Sequence, residues 1–81
     1  MEKIFTLELD KNDLDSIELH LNKKGAELLK SVLDRLILAN DNDHLHLMSA
    51  DWGGNELSSD LQSQNPDIQL IHHVRIMYWK E

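Results

Sequence analysis

The sequence predicts an α+β domain: a four-stranded, mainly antiparallel sheet with one amphipathic helix packed on one face. Three observations predict it. Apolar residues alternate with polar ones in several short segments, as strands with one buried face require. A single long segment instead carries its apolar residues at helical spacing. At 81 residues, with 41% apolar and 28% charged residues, the chain suits one domain spanning positions 1–81.

Phe5, Leu7 and Leu9 point one way and Thr6 and Glu8 the other, giving the first strand. The run from Asp10 to Asp15 is a polar turn cluster. Ile17, Leu19 and Leu21 then alternate with Glu18 and His20, completing an antiparallel hairpin. Asn22 is placed to cap a helix from Lys23 to about Ala39. At about 100° per residue, Leu28, Leu29, Val32, Leu33, Leu36 and Ile37 share one side of it. Gly25 lowers helix propensity in the first turn. That apolar arc needs a broad sheet beneath it. Leu29, Leu33 and Leu36 are therefore expected to be buried against Leu7, Leu19, Leu45 and Val74. Asn40-Asp41-Asn42-Asp43 ends the helix, and His44 to Ala50 reads as a third strand. Residues 51–67 form a long connection with a turn of helix expected from Asn55. Ile68 to Lys80 reads as one long strand, with Ile68, Leu70, His72, Val74, Ile76 and Tyr78 on one face. The order is strand, strand, helix, strand, strand.

A net charge of −7 speaks against a nucleic-acid binder, which needs clustered Lys and Arg, and against docking on anionic membranes. No apolar run approaches the roughly 18 residues of a membrane span, and no signal-peptide core follows the first residues. The absence of cysteine excludes disulfides and thiolate chemistry. A cytoplasmic location is the expectation.

Candidate chemistry is sparse. His44 and His46, two apart on a strand, present both rings on one face and make half of a metal site. His72 and His73 point to opposite faces, so only one of them can join the pair. Such histidines are more often solvated or hydrogen bonded, and no cofactor or metal is expected. Ser58, Ser59, Asp60 and the histidines contain the residue types of a hydrolase triad, but nothing resembles a nucleophile elbow. The chain is expected not to be an enzyme. The polar faces of the first three strands are expected to meet solvent. The last strand differs, because its second face carries Ile71, His73, Arg75, Met77 and Trp79, the composition of a partner surface.

The most distinctive segment is HLHLMSADWGGNELS, from His44 to Ser58, in which a strand runs into Trp52-Gly53-Gly54-Asn55-Glu56-Leu57. Together with SIELHLNKKGAELLKSVLDRL before it and IHHVRIMYW after it, this segment resembles the bacterial immunity proteins of polymorphic toxin systems, in the family numbered thirty-two. The resemblance spans about residues 16–79. It implies a small α+β cytoplasmic protein that binds and neutralises a cognate toxin domain, without catalysis and with no catalytic residue to transfer. The expected partner-binding surface joins Asp51, Trp52, Asn55 and Glu56 of the turn to His73, Arg75, Met77 and Trp79 of the last strand. Two rival expectations are a small His-rich metal- or ligand-binding protein and a homodimeric module using the last strand or its Trp79 face.

Overall fold

In a computed structural model the described residues are 2–80; Met1 and Glu81, the ends of the expected domain, lie outside them. The chain is α+β, with antiparallel strands and one long helix, as expected. Its strands do not form one four-stranded sheet. Among the described residues there are five, in two sheets: β1 (Phe5–Asp10), β2 (Asp13–Leu21) and β4 (Ile68–Ile71) in the order β2-β1-β4, and β3 (Asp43–Met48) with β5 (His73–Tyr78).

The expected long last strand breaks at His72. β4 pairs with β1, setting Ile71 opposite Leu7 and Leu70 opposite Glu8. β5 pairs with β3, setting Val74 opposite Leu47 and Ile76 opposite Leu45. Cross-strand partners share a face, so Ile71 lies on the Leu7 side of the first sheet. In the second sheet it is Val74 and Ile76 that join the core. The six residues expected on one face are thus divided. Ile68 and Leu70 turn to the Glu8 side, and Val74 and Ile76 turn inward.

The helix α1 spans Lys23–Ile37, capped by Asn22, whose side-chain oxygen accepts the Gly25 N–H at 3.0 Å. The same oxygen accepts the Ile4 N–H at 2.9 Å and so ties the helix start to β1. Gly25 is required there by space: a Cβ would lie 1.8 Å from the Ile4 carbonyl oxygen. Val32 and Leu36 are buried, and Leu28 and Leu29 are half-buried. The core gathers Phe5, Val32, Leu47 and Leu57, flanked by residues of both sheets. One helix shared between two sheets cannot also cover β2. Leu33 is consequently 43% exposed and Leu19 46% exposed, correcting the expectation that both are buried.

The first strands also depart from expectation on their polar side. β2 begins at Asp13, so the hairpin turn is only Lys11-Asn12, braced by the Asn12 N–H donating to Asp10 Oδ1 at 2.8 Å. Thr6 and Glu8 are fully buried rather than solvated. The long connection folds over them, and the Gln62 and Ser63 N–H groups each donate to the Glu8 carboxylate at 3.0 Å. The Thr6 hydroxyl donates to it at 2.6 Å. Burial alone would raise the Glu8 pKa. These three hydrogen bonds and the nearby His20 outweigh it and hold the carboxyl below its ordinary range.

Candidate binding face

β3 and β5 pair so that His44 faces Met77, His46 faces Arg75 and Met48 faces His73. Leu45, Leu47, Val74 and Ile76 take the opposite, inner side of that sheet. The outer side therefore collects the polar and soft apolar residues of both strands. Of the two adjacent histidines, His73 joins His46. Their Nε2 and Nδ1 atoms lie 2.8 Å apart and the rings stack at 5.1 Å, so one ring donates and the other accepts. His44 meets His46 edge-on at 5.2 Å. Partial desolvation, then the positive charges of His73, His44 and Arg75, push the His46 pKa down.

The turn after β3 sets the upper rim of this face. A short 3-10 turn, Ala50–Trp52, ends at Gly53, whose φ of 90° is the left-handed conformation that glycine adopts without strain. Gly54 packs so closely that a Cβ would lie 2.4 Å from the Met48 carbonyl oxygen. The turn of helix thus precedes Asn55 rather than following it. Residues 55–57 instead run past the end of β3, with Leu57 buried and bridged to Ser49. Trp52 stays 59% exposed and lies parallel to His72 and His73, its ring 6.2 Å from each.

The expected site residues fall into two groups. Trp52, His73, Arg75 and Met77 share the outer face with His44 and His46, and Trp79 stands beyond the end of β5, 71% exposed. Asp51 sits at the rim, its Oδ2 3.8 Å from His72 Nδ1. Asn55 and Glu56 serve the turn itself. Glu56 is half-buried and accepts the Met48 and Asn55 N–H groups at 3.2 and 3.1 Å. Burial alone would raise its pKa, but backbone N–H groups and the Lys3 charge prevail and lower it. The Lys3 ammonium donates to the carbonyl oxygens of Asn55 and Glu56.

Two side-chain sets have the residue types of active chemistry. Ser49 Oγ lies 2.7 Å from His72 Nδ1, with Asp51 nearby. Both oxygens address the same ring nitrogen and Ser49 is fully buried, so no relay passes from acid through imidazole to an accessible hydroxyl. Ser58 is structural: its hydroxyl donates to the Lys3 carbonyl and accepts the Phe5 N–H. Glu8, Glu18 and His20 bring one ligand atom each within 4.8 Å of one another. The Glu8 oxygens are already occupied by Thr6, Gln62 and Ser63, and His20 lies 2.9 Å from Glu18. Hydrogen bonds within the fold account for that group.

Sequence reasoning did not place the His46–His73 pair, because alternation cannot say which of His72 and His73 shares a side with β3. It also missed Glu8. The tight hairpin sets Glu8 directly opposite Glu18, and two like charges in that position call for compensating partners.

A cleft of about 240 Å³ opens between the helix and β3, lined by Leu28, Arg35, His46 and Glu56 among others. It is smaller than the roughly 300–1,000 Å³ usual for small-molecule sites. No helix among the described residues is long and apolar enough to cross a membrane. No family model, curated protein or solved structure matches the chain.

Proposed function

We propose that this chain is a cytoplasmic, non-catalytic immunity protein that binds and neutralises a cognate toxin domain through the outer face of the β3–β5 sheet. One observation carries the reading. Met77 of β5 and the flanking Trp52 and Trp79 are 50, 59 and 71% exposed beside Arg75 and the stacked histidines, and the other side of β3 and β5 is anchored in the core. Trp, Met and Arg are the residues enriched at protein interfaces, and Trp and Arg dominate their energetics. The resemblance to the immunity family supplies the class of partner. The net charge of −7 would speed encounter with a basic toxin domain.

The test is co-expression with the toxin domain encoded beside this chain, followed by affinity measurements on Arg75→Ala and Trp79→Ala. Rescue of growth and a loss of at least about tenfold in affinity for each folded variant are expected, about 1.4 kcal/mol. Binding within about twofold of the parent for both variants would move the interface elsewhere.

A second reading, metal binding, is favoured by the His46–His73 contact. Zinc that shifts both ring signals at stoichiometric amounts would support it; zinc that leaves both signals in place would remove it.

A further inference from the structure

β2 ends the three-stranded sheet, and eight of its nine residues are exposed, so nothing among the described residues covers its outer edge. The direction of its free backbone groups follows from one bond. The Asn22 N–H donates to the Ile4 carbonyl at 3.2 Å. By antiparallel alternation His20 and Glu18 also face β1, while Ile17, Leu19 and Leu21 direct their N–H and C=O groups outward. The side chains of these three residues lie on the helix-facing side, 53, 46 and 38% exposed.

We infer that β2 pairs antiparallel with β2 of a second copy, about a twofold axis at Leu19, joining two three-stranded sheets into one of six strands. In that register Leu19 meets its own counterpart and Ile17 meets Leu21. All three pairings use outward-facing residues, so each closes two backbone hydrogen bonds. On the opposite side of the sheet Glu18 faces His20 of the partner subunit. The acidic start of the strand, Asp13 and Asp15, runs toward Lys23 and Lys24 of the partner subunit at the strand's other end. The strand is acidic at one end and followed by two lysines at the other, which is the self-complementarity a twofold interface requires. Moving the axis to Ile17 would set Asp15 against Leu19 and Asp13 against Leu21, so the charge pattern selects Leu19. This surface is separate from the β3–β5 face, and both can be occupied at once.

Each copy carries −7, so added salt should strengthen the pairing by screening long-range repulsion. Sedimentation equilibrium of the whole chain at up to roughly 1 mM and about 0.3 M salt should show a dimer. Leu19→Lys should be monomeric with an unchanged circular dichroism spectrum. Because the chain has no cysteine, single-cysteine variants report the register. Oxidised Leu19→Cys should become a covalent dimer, since residues across a hydrogen-bonded pair sit about 5.5 Å apart, within disulfide reach. Ile17→Cys should not, its two copies being about 13 Å apart along the strands. A chain monomeric at every concentration would overturn the inference. So would a dimer that survives Leu19→Lys, or one that crosslinks through Ile17→Cys instead.

Discussion

Replacing Glu8 with Gln keeps the shape of a fully buried side chain and removes its charge. The carboxylate accepts three hydrogen bonds, from Thr6 and Gln62 at Oε2 and from Ser63 at Oε1. A glutamine oxygen can keep two of them, but its NH₂ must then face the remaining N–H, donor against donor. Leaving that buried N–H unpaired costs about 1–3 kcal/mol, and the two retained bonds lose their charge assistance. Relief of the repulsion with Glu18 returns about 0.2–1 kcal/mol. The net expectation is a loss of about 2–4 kcal/mol, a large part of the roughly 4–12 kcal/mol usual for a domain of this size. Urea denaturation followed by tryptophan fluorescence and circular dichroism measures it, and the melting temperature should drop by roughly 10–30 °C. The pH profile supplies a second readout. The folded pKa of Glu8 is depressed, so its stabilisation is present above the unfolded value, about 4.3, and is lost as pH falls through the folded value. Glu8→Gln should therefore lose less stability than the parent on acidification, Glu56 supplying what remains. A variant within about 0.5 kcal/mol of the parent, or with the same acid limb, would refute this account of the buried carboxylate.

Leu36→Ala should cost about 2–5 kcal/mol, whereas Leu33→Ala, at a half-exposed position, should cost less than about 1 kcal/mol; paired denaturation curves check both. For His46 the depressed pKa means that the unfolded chain takes up the proton first. Stability should fall as pH drops below about 6.5, the loss being complete below the folded value. His46→Gln should flatten that limb, and NMR titration of the ring gives the folded pKa directly.

The hairpin, the capped helix and the inward set Leu45, Leu47 and Val74 were legible because each rests on local periodicity. The division of the last strand was not. Ile68 to Tyr78 alternates apart from Ile71 and His72, and alternation reports two faces without saying which neighbour each end pairs with. The switch at His72 is long-range: β4 is captured by β1 and β5 by β3. Helix burial was misjudged for the same reason. An apolar arc from Leu28 to Ile37 predicts one broad sheet, but the helix serves parts of two, and only the Val32–Leu36 stripe is sealed. At the candidate site, the residue types on the last strand were visible in alternation, while the His46–His73 contact depended on the β3–β5 register.

The division at His72 also explains why so small a chain presents two separate surfaces. A single four-stranded sheet under one helix would spend the helix on all four strands and leave one solvent face. With two sheets, the helix seals the junction, where Phe5, Val32, Leu47 and Leu57 meet. The polar side of the first sheet is closed by the 58–67 connection, latched on Glu8. Among the surfaces left uncovered are the outer face of β3–β5 and the edge of β2, which differ in chemistry. The first sets Trp52, Met77 and Trp79 around Arg75 and the histidines, and suits a partner of another kind. The second is apolar with a charge pattern that matches itself, and suits a copy. On the proposed reading, a chain built this way dimerises through one surface without obstructing the other, so Leu19→Lys should leave the affinity for the proposed toxin partner unchanged while Trp79→Ala leaves the oligomeric state unchanged.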